Sequence, residues 1–385
     1  MKNMASPRKV VVLGSTGSIG KNAVIELLEH RDEFKVLGLV ARESVELLAR
    51  QAELLGAETI VTTDEGRYLE LKEMAPRNCI AKAGMASVLE LVSRPDVDIV
   101  LCSILGTAAI HPTLAALKSG KQVALASKEV LCAAGEIVMA AERDNPRSRI
   151  VPVDSEHSGL FQCLQGRCRK EIAKLWITAS GGPFRNFTRE QLDKVTLEQA
   201  LRHPIWSMGA KITIDSASMM NKALELMEAH YLFDVPDAGL GVVIHPQSTV
   251  HALVELVDGT FISQLSAPDM RMAIRYGLTY PGRMAGTSTH LDLNCLLSLE
   301  FSPIDEGRFP SISLAREALR QGGTMPTVLN AANDVAVRRF MEGEIPFTGI
   351  WRVVERTMGA IPVERQESIS QLEEIDREAR RLAGR

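Results

Sequence analysis

The sequence predicts an α/β protein with a parallel N-terminal sheet, a central α+β segment and a C-terminal helical bundle. Short apolar runs alternate with amphipathic segments as far as about residue 150. Such alternation is typical of parallel strands joined by right-handed crossovers. An alternating stretch with a hairpin turn follows between residues 242 and 265. Beyond residue 311, apolar residues recur at helical spacing almost to the end of the chain.

Length and composition place the chain among ordinary globular proteins. Its 385 residues suffice for two or three domains, and 45% are hydrophobic and 24% charged. A net charge of −4 gives no reason to expect nucleic acid as a partner. No apolar run approaches the roughly 18 residues of a membrane span. The six scattered cysteines favour reduced thiols, and we therefore expect a cytoplasmic protein that does not enter a membrane.

The first predicted strand leads into a glycine-rich turn. Residues 10–13 are apolar, Gly14, Gly17 and Gly20 follow, and residues 21–30 have helical spacing. Strand, glycine turn and helix are the context of a dinucleotide fingerprint, in which the pyrophosphate lies on the helix N-terminus. The spacing G-x-x-G-x-x-G is less common than G-x-G-x-x-G, so an ordinary turn between strand and helix stays possible.

The end of the second predicted strand indicates which dinucleotide binds. Residues 34–40 are apolar and lead to Arg42, Glu43 and Ser44. An arginine there suits the 2′-phosphate of NADPH, whereas NAD enzymes usually have an acid. Glu43 beside it argues the other way, and both charges could also be solvated loop residues.

Further strands are predicted at residues 59–61, 97–104 and 123–126, with a helix over 111–119. The last strand ends at Ser127-Lys128-Glu129. This is where cofactor and substrate should meet, although a lysine by itself is more often a surface charge.

The centre of the chain carries two carboxylates directly after a strand. Residues 150–153 are apolar, and Asp154, Ser155, Glu156 and His157 follow. If extended geometry persists through Glu156, the two carboxylates point to the same side. Oxygen ligands so close together favour a hard divalent cation such as Mg²⁺ or Mn²⁺. A solvated turn with Ser155 as a helix N-cap is the alternative.

Two loops farther along have the composition of ligand contacts. Ser180-Gly181-Gly182 follows a predicted strand over residues 175–178, and its hydroxyl and backbone N–H groups could hold an anion. Residues 203–209 carry Trp206 between Pro204 and Gly209. An indole there could serve as a lid over a ligand or as a hydrophobic anchor.

A helix capped by Ser216 or Ser218 is predicted to follow. Asn221 and Glu225 are four residues apart and therefore share a face. Glu225 could supply a third carboxylate, with Asn221 and Lys222 binding an anionic substrate. A surface Lys222–Glu225 pair is the alternative.

The last third is predicted to contain one long strand pair and a bundle. Residues 242–257 form an alternating strand that turns at Asp258-Gly259 into residues 260–265, a natural sheet for a subunit interface. Residues 282–307 have little periodicity. Helices are predicted over residues 311–320, 327–341, 351–358 and 368–383.

Five motifs in sequence order closely resemble those of 1-deoxy-D-xylulose 5-phosphate reductoisomerases. They are Gly14-Ser-Thr-Gly-Ser-Ile-Gly20, Val151-Pro-Val-Asp-Ser-Glu-His157, Ser180-Gly-Gly-Pro-Phe-Arg185, His203-Pro-Ile-Trp-Ser-Met-Gly209 and Asp215-Ser-Ala-Ser-Met-Met-Asn-Lys222. The resemblance implies rearrangement and reduction of 1-deoxy-D-xylulose 5-phosphate to 2-C-methyl-D-erythritol 4-phosphate in isoprenoid precursor biosynthesis. It implies NADPH and one divalent cation, Mg²⁺ or Mn²⁺, as cofactors, and a homodimer.

The resemblance also implies a domain order. A Rossmann-type NADPH-binding domain would cover residues 1–150, and a catalytic and dimerisation domain residues 151–285. A connector over 286–310 would lead to a helical bundle over 311–385.

Site residues carry over by their motifs. Lys128, Glu156, His203 and Trp206 correspond to catalytic residues, and Asp154, Glu156 and Glu225 to the metal ligands. Substrate contacts are implied for Ser155, Ser180, His203, Ser216, Asn221 and Lys222. The expected cofactor contacts are Thr16, Gly17, Ser18, Ile19, Arg42, Ser44, Ser127, Glu129, Met208 and Gly209.

This chain departs from the family pattern at two places. The family often has Gly-Lys-Asn where Arg42-Glu43-Ser44 stands, and usually Asn at Ser127. On the residues alone, two alternatives stay open. Another NADP-dependent reductase would give the three carboxylates no role, and a nucleotide-binding sensor would make Lys128 and Glu225 surface charges. Metal-dependent NADPH oxidation with the xylulose phosphate separates the three hypotheses.

Overall fold

The computed structural model describes residues 6–202, 205–206, 209–295 and 298–385. By their contacts these residues form two compact units. The first unit runs up to Val130 and includes Val138–Ser158 and Asp269–Thr289. The second unit comprises Leu131–Ile137, Gly159–Pro268 and His290–Arg385. The four-part division expected from the sequence stays a prediction.

Strands and helices alternate in the first part of the chain, and helices dominate the last. The strands are β1 (Arg8–Leu13), β2 (Phe34–Ala41), β3 (Thr59–Thr62), β4 (Ile80–Ala83), β5 (Ile99–Cys102), β6 (Gln122–Leu125), β7 (Arg149–Pro152), β8 (Ile172–Ala179), β9 (Leu240–Ile244), β10 (Val250–Leu256) and β11 (Phe261–Leu265). The first eight helices are α1 (Ser18–Glu29), α2 (Val45–Leu55), α3 (Tyr68–Met74), α4 (Gly84–Ser93), α5 (Ile110–Lys118), α6 (Glu129–Asp144), α7 (Ser155–Cys163) and α8 (Arg189–Leu192). The others are α9 (Leu197–Ala200), α10 (Ala210–Ala217), α11 (Met220–Phe233), α12 (Met270–Thr279), α13 (Ser311–Gln321), α14 (Met325–Met341), α15 (Gly349–Ala360) and α16 (Ile369–Ala383).

A parallel sheet of seven strands organises the first unit. Its order is β4-β3-β2-β1-β5-β6-β7, and every neighbouring pair is parallel. The four apolar residues from Val10 to Leu13 are fully buried in β1, as a strand covered on both faces requires. The chain order reverses between β1 and β5. That switch point is where open α/β sheets bind their ligands.

A helix from much later in the sequence completes this unit. α12 packs against α1 and against β5, β6 and β7. The Arg8 guanidinium donates to the carbonyl oxygens of Leu278 and Tyr280, each at 3.0 Å. The side-chain amide of Gln122 donates to the Gly277 carbonyl at 2.7 Å. These bonds attach the end of α12 to the first residues of β1 and β6.

A buried carboxylate fixes the other end of α12. Glu26 of α1 accepts from Nε of both Arg271 and Arg275, each at 2.7 Å. A carboxylate as deeply buried as Glu26 needs such compensation, because burying an unpaired charge costs several kcal/mol, on the order of 3–5. Two arginines therefore bind α12 to α1.

The second unit contains a mixed sheet of four strands in the order β11-β10-β8-β9. β8 is parallel to β9, β10 is antiparallel to β8, and β11 is antiparallel to β10. α11 covers β8 and β9. α14 contacts α13, α15 and α16, and it has a run of fully buried residues from Val328 to Ala332. The predicted α/β class, parallel sheet and C-terminal helices are confirmed.

Local geometry differs from the sequence prediction in three places. Ser248 has a φ of 49°, and the stretch predicted as one strand is broken there into β9 and β10. The chain is helical from Ser155, so extended geometry does not persist through Glu156. Met219, with a φ of 65°, is the N-cap of α11 in place of Ser216 or Ser218, and Ser218 contributes only a long hydrogen bond of 3.5 Å from the Met220 amide to its Oγ. Among the helices described here, none has the length and apolar character needed to span a membrane.

Candidate active site

The glycine turn after β1 is packed so closely that a side chain at Gly14 or Gly20 would clash with neighbouring backbone atoms. A Cβ on Gly20 would lie 2.1 Å from the Gly14 carbonyl oxygen, and one on Gly14 would lie 2.6 Å from the Ser103 carbonyl oxygen. Gly14 also has a φ of 80°, which favours glycine. The turn is therefore tight and lies at the switch point between β1 and β5.

The helix after this turn begins with N–H groups that no side chain caps. Gly17 is the N-cap of α1 and makes no side-chain hydrogen bond, and Ser18 and Ile19 are the first two helical residues. Gln51 donates to the Ser15 carbonyl at 2.9 Å and holds the turn from α2. Together with Thr16, these residues offer the donors and positive helix end that a pyrophosphate requires.

The residues expected at the 2′-phosphate lie at the end of β2. The Arg42 side chain is 78% exposed, and its Nε lies 3.5 Å from Oε1 of Glu43. Thr62 Oγ1 donates to the Arg42 carbonyl at 2.7 Å and fixes the backbone there. Ser44 is the N-cap of α2. The guanidinium is thus solvent-facing on an anchored backbone.

Two of the residues that follow β6, Ser127 and Lys128, are buried. Ser127 donates its hydroxyl to the Ile104 carbonyl, Lys128 is the N-cap of α6, and Glu129 is the first residue of that helix. Lys128 Nζ lies 2.7 Å from Oδ2 of Asp154. Lys128 is therefore not the surface charge that a lysine usually is.

The acidic motif after β7 is the beginning of a helix. The Ser158 amide donates to the Asp154 carbonyl, and Glu156 lies in the first turn of α7. Ser155 Oγ donates to Glu156 Oε2 at 2.5 Å. The fully buried His157 has Nδ1 3.6 Å from Asp154 Oδ1. Asp154 thus immediately precedes α7 and Glu156 lies in its first turn, so the two carboxylates do not lie along a strand.

The Ser-Gly-Gly turn adjoins the end of α10. The Gly182 amide donates to Ser180 Oγ at 3.2 Å, and both glycines of this turn have positive φ. A Cβ on Gly182 would lie 2.9 Å from the Ser216 carbonyl oxygen. This close packing brings Ser180 and Ser216, two of the predicted substrate contacts, into neighbouring segments of the second unit.

α11 presents three predicted site residues on one buried surface. Asn221 Nδ2 donates to Glu225 Oε1 at 2.5 Å, and Lys222 Nζ lies 2.7 Å from Glu225 Oε2. Glu225 is 1% exposed. The shared face of Asn221 and Glu225 is confirmed, and the alternative of a surface Lys222–Glu225 pair is excluded.

Within each unit, the structure brings predicted residues together. Lys128, Asp154, Ser155 and Glu156 belong to the first unit, whereas Ser180, Ser216, Asn221, Lys222 and Glu225 belong to the second. The half-buried Trp206 and Gly209, the N-cap of α10, are described, but His203 and Met208 lie outside the described residues. Gln51 and His157 had no assigned role in the sequence prediction. The Gln51 contact with Ser15 joins separate elements and has no local signal, whereas the i, i+3 spacing of Asp154 and His157 could have indicated their contact.

Three family models match most of the chain. Residues 10–135 match 1-deoxy-D-xylulose 5-phosphate reductoisomerase, residues 150–233 its C-terminal domain, and residues 265–382 the DXP reductoisomerase C-terminal domain.

Named relatives and solved structures agree over nearly the whole length. The reductoisomerase of Rhodospirillum centenum is 47% identical over 378 residues, which is 98% of this chain and 93% of that protein. That of Pelotomaculum thermopropionicum is 46% identical over 381 residues, 97% of each. The Zymomonas mobilis enzyme in complex with NADPH has a TM-score of 0.94 and 39% identity over 98% of both chains. A DOX-P reductoisomerase with NADPH, fosmidomycin and magnesium has a TM-score of 0.91 and 35% identity, over 98% of this chain and 97% of that one. This chain therefore belongs to the 1-deoxy-D-xylulose 5-phosphate reductoisomerase family.

Proposed function

We propose that the chain converts 1-deoxy-D-xylulose 5-phosphate to 2-C-methyl-D-erythritol 4-phosphate with NADPH and a divalent metal ion, in isoprenoid precursor biosynthesis. The observation that carries this function is 47% identity to a named reductoisomerase over 98% of the chain. The acidic residues at the start of α7 and the buried Glu225 of α11 fit it, because neither alternative left open by the sequence gives them a role.

The donor set fits a hard divalent cation. We assign the metal to Asp154, Glu156 and Glu225, which offer only carboxylate oxygens, the ligands that Mg²⁺ and Mn²⁺ prefer. The Asp154 side chain is 12% exposed and its charge is compensated by Lys128, so a metal ion bound there would share this carboxylate with the lysine. The chemistry that the metal supplies there is polarisation of the substrate's ketone oxygen and orientation of its neighbouring hydroxyl.

The turn after β1 fits a dinucleotide. We assign the pyrophosphate to Thr16, Gly17, Ser18 and Ile19, whose backbone can approach it because Gly20 leaves no side chain in the way. Arg42, Ser44, Ser127, Glu129, Met208 and Gly209 are the further proposed cofactor contacts. NADPH supplies the hydride that reduces the rearranged aldehyde.

The residues of the second unit fit the substrate's phosphate. Ser180 and Ser216 offer hydroxyls, Asn221 an amide and Lys222 an ammonium group, a set of donors suited to a phosphate dianion. His203 belongs to the same proposed set. Binding energy gained at this end, remote from the reacting carbons, can be used to close the site.

The reacting end is proposed to lie beside Lys128, Ser155 and Glu156. The ammonium group of Lys128 has three N–H donors, so it can form a hydrogen bond to a substrate oxygen while it stays 2.7 Å from Asp154. The Ser155 hydroxyl orients Glu156 through their hydrogen bond. Trp206 and His203 would cover the bound substrate and exclude water.

We also propose a homodimer formed through β11. Within the described residues, β11 pairs with β10 along one edge only, so its other edge offers free backbone groups. Two apolar side chains of this strand are exposed, Phe261 by 53% and Leu265 by 37%. Pairing of two β11 edges would satisfy both features. We further propose a cytoplasmic location, because none of the six cysteines forms a disulfide and thiols stay reduced in the cytoplasm.

The function is tested by NADPH oxidation in the presence of 1-deoxy-D-xylulose 5-phosphate, with and without Mg²⁺ or Mn²⁺. We expect turnover only with the sugar phosphate and a metal. Glu225→Gln should reduce kcat by about a hundredfold or more, because it removes one anionic ligand. Glu228→Gln is the matched control, since Glu228 lies on the same helix with the same burial. Equal activity of the two variants would contradict the proposed metal site.

A further inference from the structure

α10 is a helix that depends on its neighbours for its position. It has only eight residues, and its N-cap, Gly209, provides no side-chain hydrogen bond. Its first turn contains no acidic residue but does contain Lys211, whose charge opposes the positive end of the helix dipole. A helix this short is not stable in isolation. Contacts with the rest of the second unit therefore determine where it lies.

A group of charged and amide side chains connects α10 with α14. Lys211 Nζ lies 2.9 Å from Asp215 Oδ2, one turn farther along α10, and 3.1 Å from Asp334 Oδ1 on α14. Asn333 Nδ2 donates to Asp215 Oδ1 at 2.8 Å. Asp215 is 1% exposed, so its bonds to Lys211 and Asn333 are shielded from water.

The same group reaches the last helix of the chain. Arg380 Nη2 donates to Asp334 Oδ2 at 2.8 Å, and Arg380 Nε donates to Asp376 Oδ2 at 2.6 Å. Burial would raise the pKa of Asp334, but the charges of Lys211 and Arg380 outweigh it and keep that pKa below its ordinary value. Asp334 is therefore a carboxylate held between cations from α10 and α16.

α10 in turn carries Ser216, a proposed phosphate contact. Its last turn packs so closely on the Ser180 turn that Gly182 has no room for a Cβ beside the Ser216 carbonyl. A shift of α10 would thus move the Ser216 hydroxyl and press on the segment that holds Ser180. The position of both serines depends on what holds α10.

We infer that Lys211, Asp215, Asp334 and Arg380 form a positioning network that sets the affinity for the substrate's phosphate through α10. These residues are positioning residues, because they act through Ser216 and Ser180. The inference rests on the proposed role of Ser216 in substrate binding. It assigns the C-terminal helix α16 a part in recognition of the phosphorylated substrate, in addition to its packing.

Arg380→Met and Arg381→Met are the matched pair for the test. Both arginines lie on α16 and form ion pairs, but Arg381 pairs with Glu378, which is on the same helix and exposed to solvent. Arg380→Met should raise KM for 1-deoxy-D-xylulose 5-phosphate by about three- to tenfold. KM for NADPH should change less, because α10 adjoins only one end of the proposed cofactor site, at its N-cap Gly209, and the glycine turn belongs to the first unit. Arg381→Met should change neither constant.

Two further variants separate positioning from general loss of stability. Arg380→Lys keeps a positive charge and should restore most of the affinity for the sugar phosphate. Asp376→Asn weakens a contact of Arg380 within α16 but leaves Asp334 its cation, and should raise KM less than Arg380→Met does. A purely structural role would raise both KM values to the same extent or lower the melting temperature without a selective change in KM.

A double-mutant cycle tests whether the effect passes through Ser216. In a Ser216→Ala background, Arg380→Met should raise KM for the sugar phosphate by clearly less than it does in the wild type. If Ser216→Ala raises KM for the sugar phosphate but Arg380→Met leaves it unchanged, the inference is wrong and the proposed phosphate site still stands. Ser216→Ala with an unchanged KM overturns the proposed phosphate contact and the inference together.

Discussion

Lys128 Nζ lies 2.7 Å from Oδ2 of Asp154, and Lys222 Nζ lies 2.7 Å from Oε2 of Glu225. Each unit thus pairs one proposed metal ligand with an ammonium group of its own. All four side chains are largely buried, and a buried carboxylate is costly unless a cation compensates it. A divalent ion bound by the same carboxylates would provide this charge and allow the lysines to turn to the substrate.

We predict that Mn²⁺ compensates for the loss of Lys222. Lys222→Met leaves Glu225 with the Asn221 amide but without its ammonium partner, and should lower the stability of the metal-free protein by about 3–5 kcal/mol. Added Mn²⁺ should raise the melting temperature of this variant more than that of the wild type. Differential scanning calorimetry in EDTA and in Mn²⁺ measures the difference.

Lys211→Met is the control for this experiment. Lys211 also pairs with a buried carboxylate, that of Asp215, which is not a proposed metal ligand. The variant should lose stability but gain no extra stabilisation from Mn²⁺. Equal responses to Mn²⁺ in the wild type and in Lys222→Met would show that the ion and the lysine do not replace one another.

We predict that Arg42 discriminates NADPH from NADH. Its side chain is 78% exposed on an anchored backbone, so it can reach a 2′-phosphate without losing a buried partner. Arg42→Met should reduce kcat/KM for NADPH by about tenfold, the value of one charge-assisted hydrogen bond. The value for NADH should stay the same, because NADH has no 2′-phosphate.

Glu43→Gln provides the opposite change at the neighbouring position. Glu43 lies 3.5 Å from Arg42 and competes with the phosphate for the guanidinium. Its neutralisation should slightly improve kcat/KM for NADPH. If the wild type used both cofactors with equal efficiency, Arg42 would not be a specificity residue.

The parts of the fold that could be predicted from sequence are those set by local patterns. The apolar run of β1, the glycine turn and the C-terminal helices follow from spacing along the chain, and the structure places them within a few residues of the prediction. The face shared by Asn221 and Glu225 follows from helical geometry alone and is confirmed by their hydrogen bond.

The parts that could not be predicted depend on distant contacts. α12 completes the first sheet although it follows the second sheet in sequence, and two arginines that bind Glu26 hold it there. The break between β9 and β10 has a similar cause. The backbone N–H groups of Thr249 and Val250 donate to Nε2 of His245. The Nδ1 atom of this histidine is hydrogen-bonded to the backbone carbonyl oxygen of Glu300, far along the chain. No local pattern indicates either arrangement.

We predict that the stabilising effect of Asp334 disappears in acid. Its folded-state pKa is below the unfolded value, so its contribution is complete above the unfolded pKa of about 3.9 and is lost as the pH falls through the folded pKa. Asp334→Asn should therefore be less stable than the wild type near neutral pH. The difference should shrink as the pH falls below the unfolded pKa and through the folded one, where the wild-type carboxyl also loses its charge.

Urea unfolding of both proteins over this range of pH measures the effect. At low pH, Lys211 and Arg380 face an uncharged group in either protein, so the two free energies of unfolding should converge. A difference that is the same at neutral and at acid pH would mean that the Asp334 charge does not stabilise the fold.

Trp206 and Trp351 offer a direct comparison of a lid with a core anchor. Trp351 is 6% exposed, and its indole N–H donates to Ser311 Oγ at 2.7 Å. Trp206 is half-buried and lies just before α10. We predict that Trp206→Ala lowers both kcat and kcat/KM while the melting temperature hardly changes, because a lid completes the site and excludes water only when substrate binds.

Trp351→Ala should behave in the opposite way. Truncation of a buried tryptophan costs about 3–5 kcal/mol of stability. The protein that remains folded should keep most of its turnover, because Trp351 contacts Phe309, Phe347, Ser311 and the carbonyl of Ser218 at the end of α10, and among the described residues none of these is a proposed site residue. Measurement of the melting temperature and of steady-state kinetics for both variants distinguishes a lid residue from a core anchor. If Trp206→Ala is strongly destabilised but turns over normally when folded, Trp206 is an anchor like Trp351, and the segment before α10 does not act as a lid.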